Sequence, residues 1–171
     1  MESDEELMAA VARGDERALG VLVERHAAPL HAHLARTCGS RDDADDLLQE
    51  TWVRVARGAR TYRSGQPVRP WLHGIAAHLA NDLWRRRAVR ARLAPRVGAD
   101  PPPGLGPVDG LALRERVSRL PERLREVVWL RYYAGLDEAE MAAVLGVPRG
   151  TVKSRLNGAI RALRADWREG S

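Results

Sequence analysis

A segment rich in proline and glycine divides the chain into two parts. Residues 94–110 read APRVGADPPPGLGPVDG, without the regular spacing of apolar residues that helices and strands show. Proline has no backbone N–H to donate and glycine leaves the backbone unrestrained, so this composition is typical of an irregular linker. Within the 171 residues of the chain we therefore expect a first module over 1–93, a linker over 94–110 and a second module over 111–171.

Both modules have apolar residues at helical spacing, and neither shows the sustained two-residue alternation of a half-buried strand. The clearest stripe in the first module consists of Leu48, Trp52, Val55 and Ala59. Asp4 stands where a first helix needs a capping side chain, and Asp42 or Asp43 stands at the start of the helix that carries the stripe. The sequence predicts an all-α protein made of two small helical domains.

The end of the chain predicts a helix-turn-helix. Asp137 can cap a short helix that ends at Gly146, and Pro148 precedes a longer helix. The longer helix would bury an apolar stripe and leave outward a set of polar and basic side chains: Arg149, Thr151, Lys153, Ser154, Arg155 and Asn157. Such side chains bind phosphates and read base edges in the major groove. An ordinary solvated, arginine-rich helix of a bundle is the alternative at this point.

Charge is unevenly distributed along the chain, whose formal net charge is +5. Residues 1–50 hold 5 arginines and 12 acidic residues, whereas residues 51–99 hold 11 arginines and 1 aspartate. A basic middle suits a polyanion such as nucleic acid or an anionic membrane surface, and the acidic front would be repelled by either. The pattern indicates two different partners.

Aromatic residues are interleaved with the arginines of the basic middle. Tyr62, Trp71 and Trp84 accompany a basic loop and the run of arginines at 85–87. Arginines that follow a nucleic-acid backbone, with rings that stack on exposed bases, suit single-stranded or melted nucleic acid. Trp71 lies on an apolar stripe, so we expect it in the core, whereas packing does not explain the arginines.

The run DDADDLLQET at residues 42–51 concentrates acidic side chains within a basic protein. It does not fit a calcium loop, because Leu47 occupies the place of the required glycine and the closing glutamate is missing. Acid–base catalysis would need a pocket that separates the pKa values of two carboxyls, and an exposed helix start provides none. Capping and the helix dipole explain the first aspartates. Asp46, Gln49 and Glu50, with Leu47 nearby, could instead form a polar rim for a basic partner helix.

No cofactor or metal is expected. Histidines 26, 31, 33, 73 and 78 form no HExxH or Cys/His motif, and isolated helical histidines are commonly surface or half-buried residues. Cys38 is the single cysteine, which excludes an internal disulfide. No 18-residue apolar run or signal peptide is present, so we expect a cytoplasmic protein without membrane insertion.

Several motifs together resemble the extracytoplasmic-function sigma factors of bacteria, members of the sigma-70 family. The resembling stretches are LMAAVARGDERALGVLVERH, DDADDLLQETWVRV, VRPWLHGIAAHLANDLWRRR and the C-terminal segment that contains GTVKSRL. The resemblance implies a non-enzymatic promoter-specificity subunit that binds core RNA polymerase and recognises the minus-10 and minus-35 elements of promoter DNA. It also implies an inhibitory anti-sigma factor that masks the same faces.

The resemblance assigns roles to three groups of residues. Core polymerase would be bound by Asp46, Leu47, Gln49 and Glu50. The minus-10 element would be bound by Arg60, Tyr62, Arg63, Arg69, His78, Asn81, Arg85 and Arg86. The minus-35 element would be bound by Arg149, Thr151, Lys153, Ser154, Arg155 and Asn157.

Two departures from the family pattern affect DNA recognition. His78 stands where the family often has asparagine, and Asn157 with Gly158 follows GTVKSRL where an aromatic or basic residue is frequent. The promoter sequence therefore cannot be copied from a relative. The alternative function is a helix-turn-helix transcription factor that binds duplex DNA without polymerase.

Overall fold

The computed structural model describes residues 2–63, 65–93 and 108–169, and this part of the chain contains helices but no strand. The first module holds α1 (Asp4–Ala12), α2 (Glu16–Cys38), α3 (Arg41–Gly58), a short 3-10 turn (Ala59–Thr61) and α4 (Val68–Leu93). The second holds α5 (Val108–Arg119), α6 (Glu122–Val128), a π-helical turn (Trp129–Tyr133), α7 (Glu138–Leu145) and α8 (Arg149–Glu169). The predicted all-α class is confirmed.

Most of the predicted linker lies outside the described residues, which resume at Val108. The last three of its positions, 108–110, are already helical and belong to α5. No helix among the described ranges is both long enough and apolar enough to cross a membrane.

The helix starts show which side chains cap them. Asp137 caps α7 as predicted, since its Oδ1 accepts from the backbone N–H groups of Ala139 at 2.7 Å and Glu140 at 2.8 Å. The prediction for α1 was wrong by one position, because Ser3 and not Asp4 is the cap. The prediction for α3 was also wrong: Ser40 Oγ accepts from the N–H of Asp43, so Asp42 and Asp43 occupy the first turn, where their charge favours the helix dipole.

The buried stripe of α3 differs from the predicted one. Ala44, Leu47, Thr51 and Val55 are the buried positions, while Leu48 and Trp52 are only half-buried. The predicted stripe omits Thr51 because its hydroxyl group is polar. Its Oγ1 donates to the Leu47 carbonyl at 2.7 Å, so the group is satisfied inside the core.

The cores of the two modules are joined. The first core is built from α1–α4, with Leu22, Leu34 and Leu72 fully buried, and the second is built around Leu130, Met141 and Val152. Each core also contains residues of the other module: Ala77 of α4 belongs to the second, and Val117, Leu120, Val128, Trp129 and Ala159 belong to the first. The described residues therefore form a closed arrangement in which α4 packs against α6, the π turn and α7.

Candidate functional site

The helix-turn-helix is formed by α7 and α8. Gly146 ends α7 in the left-handed conformation, with φ of 63°, which a residue with a side chain rarely adopts. Met141 of α7 and Val152 of α8 are fully buried, which fixes the angle between the helices. The turn therefore holds one face of α8 away from the rest of the module.

That outward surface of α8 is here called the recognition face, and it contains the predicted minus-35 residues. Arg149, Lys153, Ser154 and Asn157 are exposed, while Thr151 and Arg155 are half-buried. Ser154 Oγ donates to the Thr151 carbonyl at 2.9 Å, which leaves its oxygen free to accept. The recognition face thus offers cationic groups and one amide at the start of a helix.

On α3 an acidic face forms where the sequence predicted a docking surface. Asp46, Gln49 and Glu50 are exposed, and Glu50 pairs with Arg54 at 3.1 Å. Two other acids of the run are engaged elsewhere in the module, because Asp43 pairs with Arg87 and Asp45 pairs with His31. Only part of the acidic run is therefore available to a partner.

Leu47 does not belong to this surface. Its side chain is 7% exposed and lies in the core of the first module. Val53 instead follows Asp46 by seven residues, on the same side of the helix, and is 40% exposed. We define the acidic face as Asp46, Gln49, Glu50 and Val53. Sequence reasoning missed Val53, although the spacing of three, four and seven residues from Asp46 would have found it.

The predicted minus-10 residues divide into two groups. Arg60, Arg63, Arg85 and Arg86 are exposed, and Tyr62 packs edge to face on Trp71 with ring centroids 5.3 Å apart. We refer to these five residues together as the basic surface of the first module. Its α4 arginines are also tied locally, since Arg85 pairs with Asp82 at 2.9 Å.

The second group of predicted minus-10 residues faces the second module. Asn81 is 3% exposed and accepts from Arg125 Nε at 3.1 Å. Arg69 Nη2 donates to the Ala134 carbonyl at 2.7 Å, and His78 Nδ1 lies 3.3 Å from Glu126 Oε1. The closed arrangement therefore occupies three of the eight predicted minus-10 residues with contacts inside the protein.

The carboxyl of Glu126 is largely enclosed by this interface, with 13% of its side chain exposed. Burial raises the pKa of Glu126, while His78 and Arg155 act against that rise. No set of three potential metal ligands occurs among residues 2–63, 65–93 and 108–169. The prediction that isolated histidines lie at the surface or half-buried was wrong for His33 and His73, which are 0% and 3% exposed.

Both modules match family models. Residues 22–90 match the model of sigma-70 region 2, and residues 110–163 match that of sigma-70 region 4. These boundaries bracket the predicted linker.

Relatives match over most of the chain. The extracytoplasmic-function RNA polymerase sigma factor SigE of Mycolicibacterium smegmatis is 38% identical over 95% of this chain and 68% of its own length. The RNA polymerase sigma factor CnrH of Cupriavidus metallidurans is 33% identical over 96% of this chain and 94% of its own length. SigM of Mycobacterium tuberculosis is 36% identical over 90% of this chain and 79% of its own length.

Solved structures have the same fold. CnrH in complex with the cytosolic domain of CnrY matches with a TM-score of 0.71 and 30% identity, covering 99% of this chain and 100% of that one. The sigma factor RpoE of Bartonella quintana, solved with the anti-sigma factor NepR, matches with a TM-score of 0.60 and 23% identity over 85% of this chain and 94% of that one.

The similarity includes both modules in their order along the chain, which a helix-turn-helix factor acting without polymerase would not require. The chain therefore belongs to the extracytoplasmic-function sigma factors of the sigma-70 family, the promoter-specificity subunits of bacterial RNA polymerase.

Proposed function

We propose that this sigma factor uses three separate surfaces for three tasks. The acidic face of α3 binds core RNA polymerase, the basic surface of the first module binds the minus-10 element, and the recognition face of α8 binds the minus-35 element. The observation that carries the proposal is the separation of charge on exposed residues. Asp46 and Glu50 are exposed on α3, whereas the exposed cationic residues assigned to DNA lie on other elements: Arg60, Arg63, Arg85, Arg86, Arg149 and Lys153.

Charge and burial support the acidic face as the polymerase contact. The side chains of Asp46 and Gln49 make no hydrogen bond or ion pair with other described residues, so their polar groups are available to a basic partner. Val53 adds exposed apolar area beside them. Leu47 is left out of the contact, because its buried side chain supports the fold.

The chemistry of the recognition face supports base readout in the major groove. Asn157 can form a bidentate pair with adenine, and Lys153 can donate to guanine. Arg149 and Thr151 stand at the start of α8, where helix N–H groups and cationic side chains favour phosphate.

Binding of the minus-10 element requires the closed arrangement to open. Asn81 is 3% exposed and is buried against Arg125, so it cannot contact DNA while the modules are packed together, and Arg69 is held by the Ala134 carbonyl. Arg60, Arg63, Arg85 and Arg86 are exposed and make the first contacts. Opening then exposes Asn81 and releases Arg69 and His78 from their contacts with the second module.

A protein partner that holds the closed arrangement would inhibit this function. CnrH, similar to this chain over 99% of its length, was solved in complex with the cytosolic domain of CnrY. We propose that an anti-sigma factor binds this chain in the same way. The chain acts in the cytoplasm, where the polymerase lies, and the polymerase supplies all of the catalytic chemistry.

Run-off transcription tests the proposed function. Transcript starts that appear on overexpression of the chain define the promoter, which is then transcribed with purified core polymerase. We expect a start-specific transcript that depends on the chain and on both promoter elements. A chain that binds the duplex alone but never directs the polymerase to that start would contradict the proposal.

A further inference from the structure

Two buried histidines meet in the first module. His33 of α2 and His73 of α4 pack edge to face, with ring centroids 5.2 Å apart. Three of their ring nitrogens, both of His33 and Nδ1 of His73, lack a hydrogen-bond partner within the described ranges. Neutral rings fit such a site, because each charged imidazolium would need two hydrogen-bond acceptors and each ring has at least one nitrogen without a partner.

This pair lies where the second module docks. Arg36, one turn after His33, donates from Nη2 to the Tyr133 carbonyl at 2.8 Å. Arg69, one turn before His73, donates to the Ala134 carbonyl at 2.7 Å. The backbone of Tyr133 also lies close enough to the His33 ring to raise its pKa. The two histidines and two arginines therefore form one surface, on which the carbonyl end of the π turn rests.

Cations surround the pair and make its protonation harder. Burial is the main cause that lowers the pKa of His33 to about 4, with Arg36 adding to it. Burial also lowers the pKa of His73 to about 3, with smaller contributions from His33, Arg69, His26 and Arg36. At His33, the backbone of Tyr133 acts against burial and raises the pKa.

One other histidine at the interface, His78, favours contact between the modules when it is charged. His78 Nδ1 lies 3.3 Å from Glu126 Oε1, so a protonated His78 strengthens the contact between the modules. It is a single pair, and the His78 side chain is 60% exposed, so solvent weakens the attraction. The buried pair has two rings, and no carboxylate is among the groups that shift their pKa values.

We propose that the His33–His73 pair makes the closed arrangement sensitive to acid: protonation of the two rings, once water reaches them, favours separation of the modules. This goes beyond the three proposed surfaces, because it concerns the equilibrium of the free protein and needs neither polymerase nor DNA.

The direction follows from the lowered pKa values. In the closed form the pair binds protons only at low pH, whereas solvated histidines bind them below about 6.5. The pair's contribution to closure is therefore complete above about pH 6.5 and weakens as the pH falls. If both rings regain an ordinary pKa on opening, each changes the open-to-closed ratio about 10-fold between pH 7.5 and 5.5, which gives about 100-fold for the pair.

Energy transfer between dyes on the two modules measures this equilibrium. Ala28→Cys in α2 and Ala165→Cys in α8 place the dyes at exposed positions. Cys38 is buried and burial raises the pKa of its thiol to about 12, so it does not compete for the labels. We expect the open fraction of the full chain to rise between pH 7.5 and 5.5. An unchanged open fraction over this range would overturn the proposal.

Non-titrating variants identify the groups responsible. His33→Leu with His73→Leu keeps the volume and should remove most of the pH response, whereas His31→Leu, at a histidine paired with Asp45 within the first module, should keep it. An equal pH response in the double variant and the wild type would contradict the assignment. If the double variant does not fold, His73→Leu alone is compared, and the response should then fall to about 10-fold. A full response in that single variant would count equally against the pair.

Discussion

Arg125 in α6 donates from Nε to Oδ1 of Asn81 in α4 across 3.1 Å, and both side chains are buried. The guanidinium also donates to the Ser118 carbonyl at 2.8 Å and lies 5.4 Å from the centroid of the Trp129 ring. Burial lowers the pKa of Arg125, but a guanidinium stays charged at neutral pH. The buried charge of Arg125 therefore joins the modules through its bond to Asn81, a side chain that we propose contacts DNA.

Asn81→Ala should loosen the closed arrangement. The change removes an acceptor from a buried charged donor, which we expect to weaken closure by about 1–3 kcal/mol. Energy transfer in the doubly labelled chain measures the resulting open fraction. Asp82→Ala is the matched control, because Asp82 pairs with Arg85 on its own helix. An open fraction equal to that of the control would show that the Asn81 contact does not hold the modules together.

Asp46→Arg with Glu50→Arg should abolish binding to core polymerase. Reversing two exposed charges opposes a basic partner, while exposed substitutions commonly change the free energy of unfolding by less than about 0.5 kcal/mol. Co-purification with core polymerase and urea unfolding measure the two effects. Glu24→Arg, at an exposed position of α2, should leave both unchanged. Undiminished co-purification of the double variant would remove the acidic face from the polymerase contact.

Leu47→Ala should destabilise the first module. The buried side chain leaves a cavity when truncated, so we expect a loss of about 2–5 kcal/mol in the free energy of unfolding. Val53→Ala should cost little stability and weaken polymerase binding instead, because Val53 is exposed. Urea unfolding of both variants measures the difference. The opposite pattern would assign Leu47 to the surface and Val53 to the core.

Asn157→Ala should reduce promoter recognition without affecting polymerase binding. Loss of a base contact costs about 1–3 kcal/mol and relaxes specificity at one position. Competition of the holoenzyme between the promoter and a duplex scrambled at the minus-35 element measures this loss. Arg168→Ala, exposed near the end of α8, is the control. Equal weakening on both duplexes would identify Asn157 as a phosphate contact.

Local signals in the sequence predicted the helix-turn-helix well. Asp137 and Gly146 act through bonds to neighbouring residues, so their types alone predict the limits of α7. The exposure of Asp46, Gln49 and Glu50 also follows from helical spacing. Errors arose where two residues compete for one role. Ser40 replaces Asp42 as the cap of α3, and Leu47 replaces Leu48 in its buried stripe.

Long-range contacts were beyond the sequence pattern. Asn81 and Arg125 are 44 residues apart, and nothing in either segment indicates that they meet. The burial of His33 and His73 has the same origin, because it depends on how α2 and α4 pack. The closed arrangement and its histidine pair therefore emerge only from the three-dimensional structure.

A reversible lock on the closed arrangement tests the central claim, that this promoter-specificity subunit must open to initiate transcription. A Cβ built on Gly74 lies 3.7 Å from Cβ of Val144, within the span of about 3.5–4.5 Å that a disulfide needs. Gly74→Cys with Val144→Cys should give no run-off transcript with core polymerase when oxidised, and should regain it on reduction. Equal transcription by the oxidised and reduced protein, with the disulfide verified by mass, would contradict the claim.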